Sequence, residues 1–197
     1  MRKLVLLLTT VALLSLSTKS YARHNENDFI INTKVSNVDW IGKKVSGQHS
    51  GTIHIKEGLL HFHDGILTSG KILIDMASIV CTDLEAKMAK KLEGHLNSPD
   101  FFDVKNHPTC ILEITSSKNI EENKSTITGN LTIKGINNPI VFPATIEIKE
   151  GKLAAYAEVK VDRTLYDIKY GSGKFFEGLG DKMIDDEFII KFKIAAE

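Results

Sequence analysis

Seven histidines, two cysteines and several paired acids carry the reactive side chains of this sequence, and their spacing decides what they can do. His61 and His63 stand two apart in LLHFHDG, so on a strand both project from one face, with Asp64 adjacent. That arrangement suits two ligands of a zinc or copper site. No third ligand follows at a diagnostic spacing, and the same pair is ordinary on a wetted strand face. Hydrolysis needs a nucleophile with a positioned base. The chain has no Gly-x-Ser-x-Gly elbow, no His-Glu-x-x-His and no phosphate-cradling glycine loop. His95 with Asp100 or Asp103 can be drawn as an acid–base pair, although a local hydrogen bond that fixes its segment is the simpler role. Asp162-Arg163 sits at a strand end, where an arginine serves either a structural salt bridge or a phosphate or carboxylate head group. Cys81 and Cys110 make an even pair that permits a disulfide in an exported chain, and each equally suits burial as a small apolar residue. Spacing leaves both outcomes open.

The elements that must position these residues read mostly with period two. TIHI (52–55), ILID (72–75), CILEIT (110–115), TGNLTIKG (128–135), VFPATIEIK (141–149), LAAYAEVKV (153–161) and EFIIKFKI (187–194) are strand-like. Turn residues such as KEG at 56–58 and at 149–151 divide them. In the last strand Phe188, Ile190, Phe192 and Ile194 share one face while Lys191 and Lys193 take the other. An antiparallel sheet covering a core on one side has that signature. Such strands build a sandwich or a closed barrel, and the pattern does not choose between them.

One segment departs from this pattern. Between Thr82 and Glu93 the apolar residues Leu84, Met88 and Leu92 recur every four, with Ala89 beside them, which predicts a short lid helix over 82–93. Thr82 and Glu85 have capping-box spacing, and Gly94 is placed to stop the helix. GHLNSPDFFDV follows, with Ser98-Pro99-Asp100 suited to start a second helical turn that carries Phe101 and Phe102.

The first 22 residues have the parts of a secretory signal: Arg2 and Lys3, an apolar run from Leu4 to Leu16, and a small-residue end at Ser20-Tyr21-Ala22. The apolar run is too short for a membrane span, so the chain is expected to be periplasmic or secreted, with one domain over 23–197. Without the signal, 22 basic residues face 25 acidic ones. A weakly acidic chain with no basic cluster has no electrostatic footprint for nucleic acid.

Several separated motifs together resemble one family. VDWIGKKVSGQHSG (38–51), SGKILIDMASI (69–79), HLNSPDFFDV (95–104), GNLTIKG (129–135), VFP (141–143) and VDRTLYDIKYG (161–171) are similar, in order, to the YceI-like polyisoprenoid-binding proteins. The resemblance implies a mainly β fold, an elongated, lipocalin-like antiparallel β-barrel that holds a long-chain isoprenoid or fatty amphiphile. No other cofactor is implied. On such a barrel the tail channel is expected to involve Phe101 and Phe102, then Leu112 and Ile114, then Leu131 and Ile133. Phe142 and Ile146, Ala157 and Val159, and Phe192 complete it. His49, His95, Asp162 and Arg163 are expected to frame a polar mouth. The two cysteines stand outside the family pattern.

The physics of a carrier fits this expectation. A buried prenyl tail gains about 0.8 kcal/mol per methylene, so a long tail supplies ample drive. Selectivity then rests on cavity length and on the mouth. Two competing readings remain: an exported metal-dependent enzyme using His61, His63 and Asp64, or an exported interaction module whose barrel is filled by side chains. A homodimer is compatible with either.

Overall fold

The computed structural model describes residues 26–197, so the expected signal at 1–22 lies outside the described residues. Nine strand segments alternate antiparallel around one closed barrel. They are β1 (Glu26–Ile30), β2 (Asn37–Lys44), β3 (Gly47–His63), β4 (Ile66–Cys81), β5 (Thr109–Glu121), β6 (Lys124–Ile133), β7 (Ile136–Lys149), β8 (Lys152–Asp162) and β9 (Glu187–Ala196). β1 and β2 fill a single stave between β3 and β9. β1 pairs the second half of β3 and meets the end of β9 through Ile31 and Ala196, while β2 pairs the first half of β3 and the body of β9. The result is an eight-staved barrel, closed by the β3–β4 pairing.

Three hairpins turn on two residues, Asp64-Gly65, Lys134-Gly135 and Glu150-Gly151, all with positive φ. This left-handed pair matches the twist of the flanking strands, which is why a glycine stands second in each. The other expected turn, KEG at 56–58, is not one. It lies inside β3, at a bulge between Ile55 and Glu57. Gly58 is required there because a Cβ would meet the Ile31 Cδ1 at 2.5 Å. Close packing of the β1 end, rather than a chain reversal, explains that glycine.

The helix, α1, spans Ala86–Asn97 rather than 82–93. Its buried residues are Ala89 and Leu96, with Leu92 partly covered, whereas Met88 is exposed. The true stripe is therefore 89, 92 and 96, and Gly94 sits within the helix with open space around it. The capping box does not form. The Thr82 hydroxyl donates to the Ser50 carbonyl, and Glu85 makes no side-chain cap. Ser98 likewise ends α1 instead of starting a new helix, its hydroxyl donating to the His95 carbonyl at 2.7 Å. Residues 98–102 are a run of turns in which Phe101 and Phe102 are held by backbone bonds back to Ser98 and Leu96.

The cysteines remain free and buried. Cys110 faces Ile74 on β4, whereas Cys81 is at the far end of the same strand, opposite Gly51. β4 bulges between Asp75 and Val80, so the four residues of β3 from Gly51 to Ile55 measure the separation: roughly 13 Å at strand spacing, still beyond what a disulfide spans. The geometry excludes the disulfide that the even count permitted.

Candidate ligand-binding site

The barrel has two different ends. At one, Phe29, Leu60, Phe62 and Leu67 are buried and close the lumen, Phe29 and Phe62 meeting edge to face at 5.4 Å between centroids. At the other end lie α1, the twin phenylalanines and the segment 163–186 that links β8 to β9. Beneath this end is a cavity of about 130 Å³. A second, of about 50 Å³, lies deeper in the lumen.

Alternation along the strands makes the cavity wall apolar. Every second residue points inward, and those positions hold Leu, Ile, Val, Ala and Phe, apart from Ser125 and Gly129 on β6. In β8 the inward alanines, Ala155 and Ala157, leave space that larger residues would fill. In β9, Phe188, Ile190 and Phe192 are only half-buried although they face inward, because part of each borders empty lumen. The charged residues of the wall, Lys43, Arg163, Asp185 and Glu187, all come from strand ends or the linking segment at the open end.

The eleven expected channel residues divide between the two cavities. Phe101, Phe102, Leu131, Ile133 and Val159 line the upper one, Ile114, Ile146 and Ala157 line the lower one, and Leu112, Phe142 and Phe192 line both. The expected polar mouth divides differently. Arg163 borders the upper cavity, but its guanidinium is committed: Nε donates to the Asp185 carbonyl, Nη1 to Ile168 and Nη2 to Ile184, with the Asp186 carboxylate 3.6 Å away. This arginine pins the linking segment, three of its five N–H groups going to backbone carbonyls. Asp162 caps the short helix after β8, accepting from the backbone and hydroxyl of Thr164 and from Lys174. Burial alone raises its pKa, but the hydrogen bonds from Lys174 and Thr164 outweigh that and hold it below the usual carboxylate range. His49 pairs with Asp83 at 3.2 Å, and His95 packs against Phe101 and Tyr170. Neither histidine lines either of these two cavities.

Several lining residues escaped the sequence reading. Ile168 and Ile184 sit in irregular segments with no periodicity to flag them. Trp40 belongs to β2, which was visible only as part of a motif. Its indole lies on Gly51, where a Cβ would stand 2.8 Å from the ring, and its Nε1 donates to the Val80 carbonyl. Phe188 and Ile190 did share a face with Phe192 in the strand pattern, and that was the signal available for them.

The histidine pair does share the outer face of β3, at positions flanking buried Phe62. His61 Nδ1 is 2.6 Å from Asp28 and His63 Nε2 is 3.6 Å from Asp64. Among the described residues, no group of three histidine, cysteine or acidic side chains gathers to hold a metal. Nor is any described helix long and apolar enough to cross a membrane.

Comparison with known proteins follows this geometry. A family model described as the YceI-like domain matches residues 29–196. A UPF0312 protein of Azotobacter vinelandii is 30% identical over 102 residues, covering 52% of this chain and 50% of that protein. The chain thus matches about half the length of that relative. Among solved structures, Burkholderia cenocepacia BcnA superposes with a TM-score of 0.65 at 23% identity, covering 85% of this chain and 99% of that one. A polyisoprenoid binding domain from Saccharophagus degradans superposes with a TM-score of 0.63 at 9% identity, covering 86% and 97%. These structures share the fold, and the family match extends over nearly all the described strands: this chain belongs to the YceI-like domain family.

Proposed function

We propose that this protein is an exported carrier, not a catalyst, that shelters the tail of an isoprenoid or similar long-chain amphiphile inside its barrel, in the periplasm or outside the cell. The observation that carries this reading is the lumen itself, two apolar cavities in line beneath one end, with charge confined to the rim. The upper volume is close to that of an engineered apolar cavity that stays dry and takes up a benzene ring. One isoprene unit is of that size, so longer tails enter as the flexible Met76, Leu and Phe side chains of the wall turn aside. Phe102, lying edge-on to Phe188 at 6.2 Å, sits where a tail passes from rim to lumen. The polyisoprenoid-binding description of the Saccharophagus degradans domain, which has the same fold, agrees with this assignment.

Organic extraction of protein purified from its native compartment, followed by mass spectrometry, tests the reading. A co-purifying isoprenoid or fatty amphiphile is expected, and the double variant Phe101→Ser, Phe102→Ser should retain markedly less of it. Protein that carries no lipid, and takes up none from a lipid extract, would overturn the assignment.

A further inference from the structure

The two cavities share only three lining side chains, Leu112 on β5, Phe142 on β7 and Phe192 on β9. Projecting into one lumen from three staves, they form a waist between an upper room and a lower one. Above it the wall is built of large residues such as Trp40, Met76 and Phe102. Below it the space exists because Ala144, Ala155 and Ala157 stand where larger side chains would fill the barrel. Phe192 is directly opposite Ala157 in the β8–β9 register, so its ring closes over the small residues that make the lower room.

We propose that this waist sets the length of tail the barrel accepts, as a gate that short isoprenoids do not reach and long ones must open. The inference rests on the tail-binding assignment above and adds a selecting device to it. From Glu187 at the rim to Phe192 is five residues of β9. That is about 17 Å along the strand, and about 13 Å of depth at a barrel tilt of about 40°. An isoprene unit contributes four chain bonds, on the order of 5 Å when three backbone bonds span about 3.8 Å. Geraniol therefore ends above the waist. Geranylgeraniol, with the same alcohol head and twice the tail, must swing Phe142 and Phe192 aside and place its end among the alanines.

Binding of both alcohols to the full-length protein tests this, read through the fluorescence of Trp40, the only tryptophan and a lining residue of the upper room. Ala155→Leu fills the lower room from a half-buried position. It is expected to weaken geranylgeraniol relative to geraniol by about tenfold, the equivalent of one lost apolar contact surface. Phe192→Ala removes bulk from the waist and should shift the ratio the other way. It also serves as the independent variant should Ala155→Leu fail to fold. A ratio that either folded variant leaves at its wild-type value overturns the gate while leaving the carrier intact. Wild-type protein that binds neither alcohol nor any longer polyprenol overturns the carrier assignment and the gate with it.

Discussion

The imidazole of His95 stands edge-on to the ring of Phe101, centroids 4.9 Å apart and planes at 79°, and edge-on to Tyr170 at 4.5 Å. The end of α1 and the turn that follows it, carrying the twin phenylalanines, meet there a segment far along the chain, the link between β8 and β9. His95, whose Nε2 also stands 3.6 Å from the Asp100 carboxylate, as one of the sequence pairings had it, is a rivet for the cover of the barrel.

His95→Ala should therefore loosen the cover. Each edge-to-face contact is worth about 0.5–1.5 kcal/mol, so the variant is expected to lose about 1–2 kcal/mol in denaturant unfolding. Lipid release from it should be faster than from the parent protein.

Arg163→Lys should destabilise by about 3 kcal/mol, although charge is conserved. A lysine ammonium cannot reproduce the planar fork that serves three carbonyls in different directions, and buried acceptors left without donors carry the desolvation cost. The unfolding midpoint measures the loss. If Arg163 instead held a head group, the variant would fold normally and lose ligand alone.

Asp162 makes stability depend on acid. Its folded-state pKa is depressed, burial's upward push being outweighed by hydrogen bonds from Lys174 and Thr164. A depressed carboxylate contributes stability that is present above its unfolded pKa and lost as pH falls through the folded one. Between about pH 4 and lower values, wild-type protein should therefore lose stability that Asp162→Asn does not lose. Thermal melts across that range separate the two slopes.

Thiol titration should find two reactive groups per chain in denaturant without reductant, because Cys81 and Cys110 are far apart. In the native protein Cys110 should react very slowly at pH 8: burial pushes its thiol up to about 12, leaving almost no thiolate. As Cys110 also lines the upper cavity, a bound tail should slow its labelling by an apolar maleimide further. Quantitative formation of an internal bridge on oxidation would contradict the strand register.

The barrel wall was legible because its physics is local. Alternation over 153–161 and 187–194 assigns Val159 and Phe192 to the inner face from sequence alone, and the strands carry them there. The cover was legible only in part. Met88 satisfied a spacing of four as well as Ala89 satisfies its neighbours, and which stripe faces the sheet depends on how α1 lies across β4. The roles of Arg163 and Asp162 depend on partners some 20 residues away, Asp185 and Asp186 among them, and on Lys174, a distance at which no periodicity speaks. Gly58 shows the same limit: its reason is Ile31, a residue from another stave.

The stave shared by β1 and β2 is also the seam at which the two ends of the described chain are stitched, Ile30 and Glu197 exchanging backbone hydrogen bonds beside the β2–β9 ladder. That seam joins residues far apart along the polypeptide, so its loop-closure entropy is met only late in folding. Until residues 187–196 dock, the cylinder is an open sheet with two bare edges and its greasy concave side in water. A nascent chain in that state is adhesive, and the same ten residues that complete the wall are what render it safe.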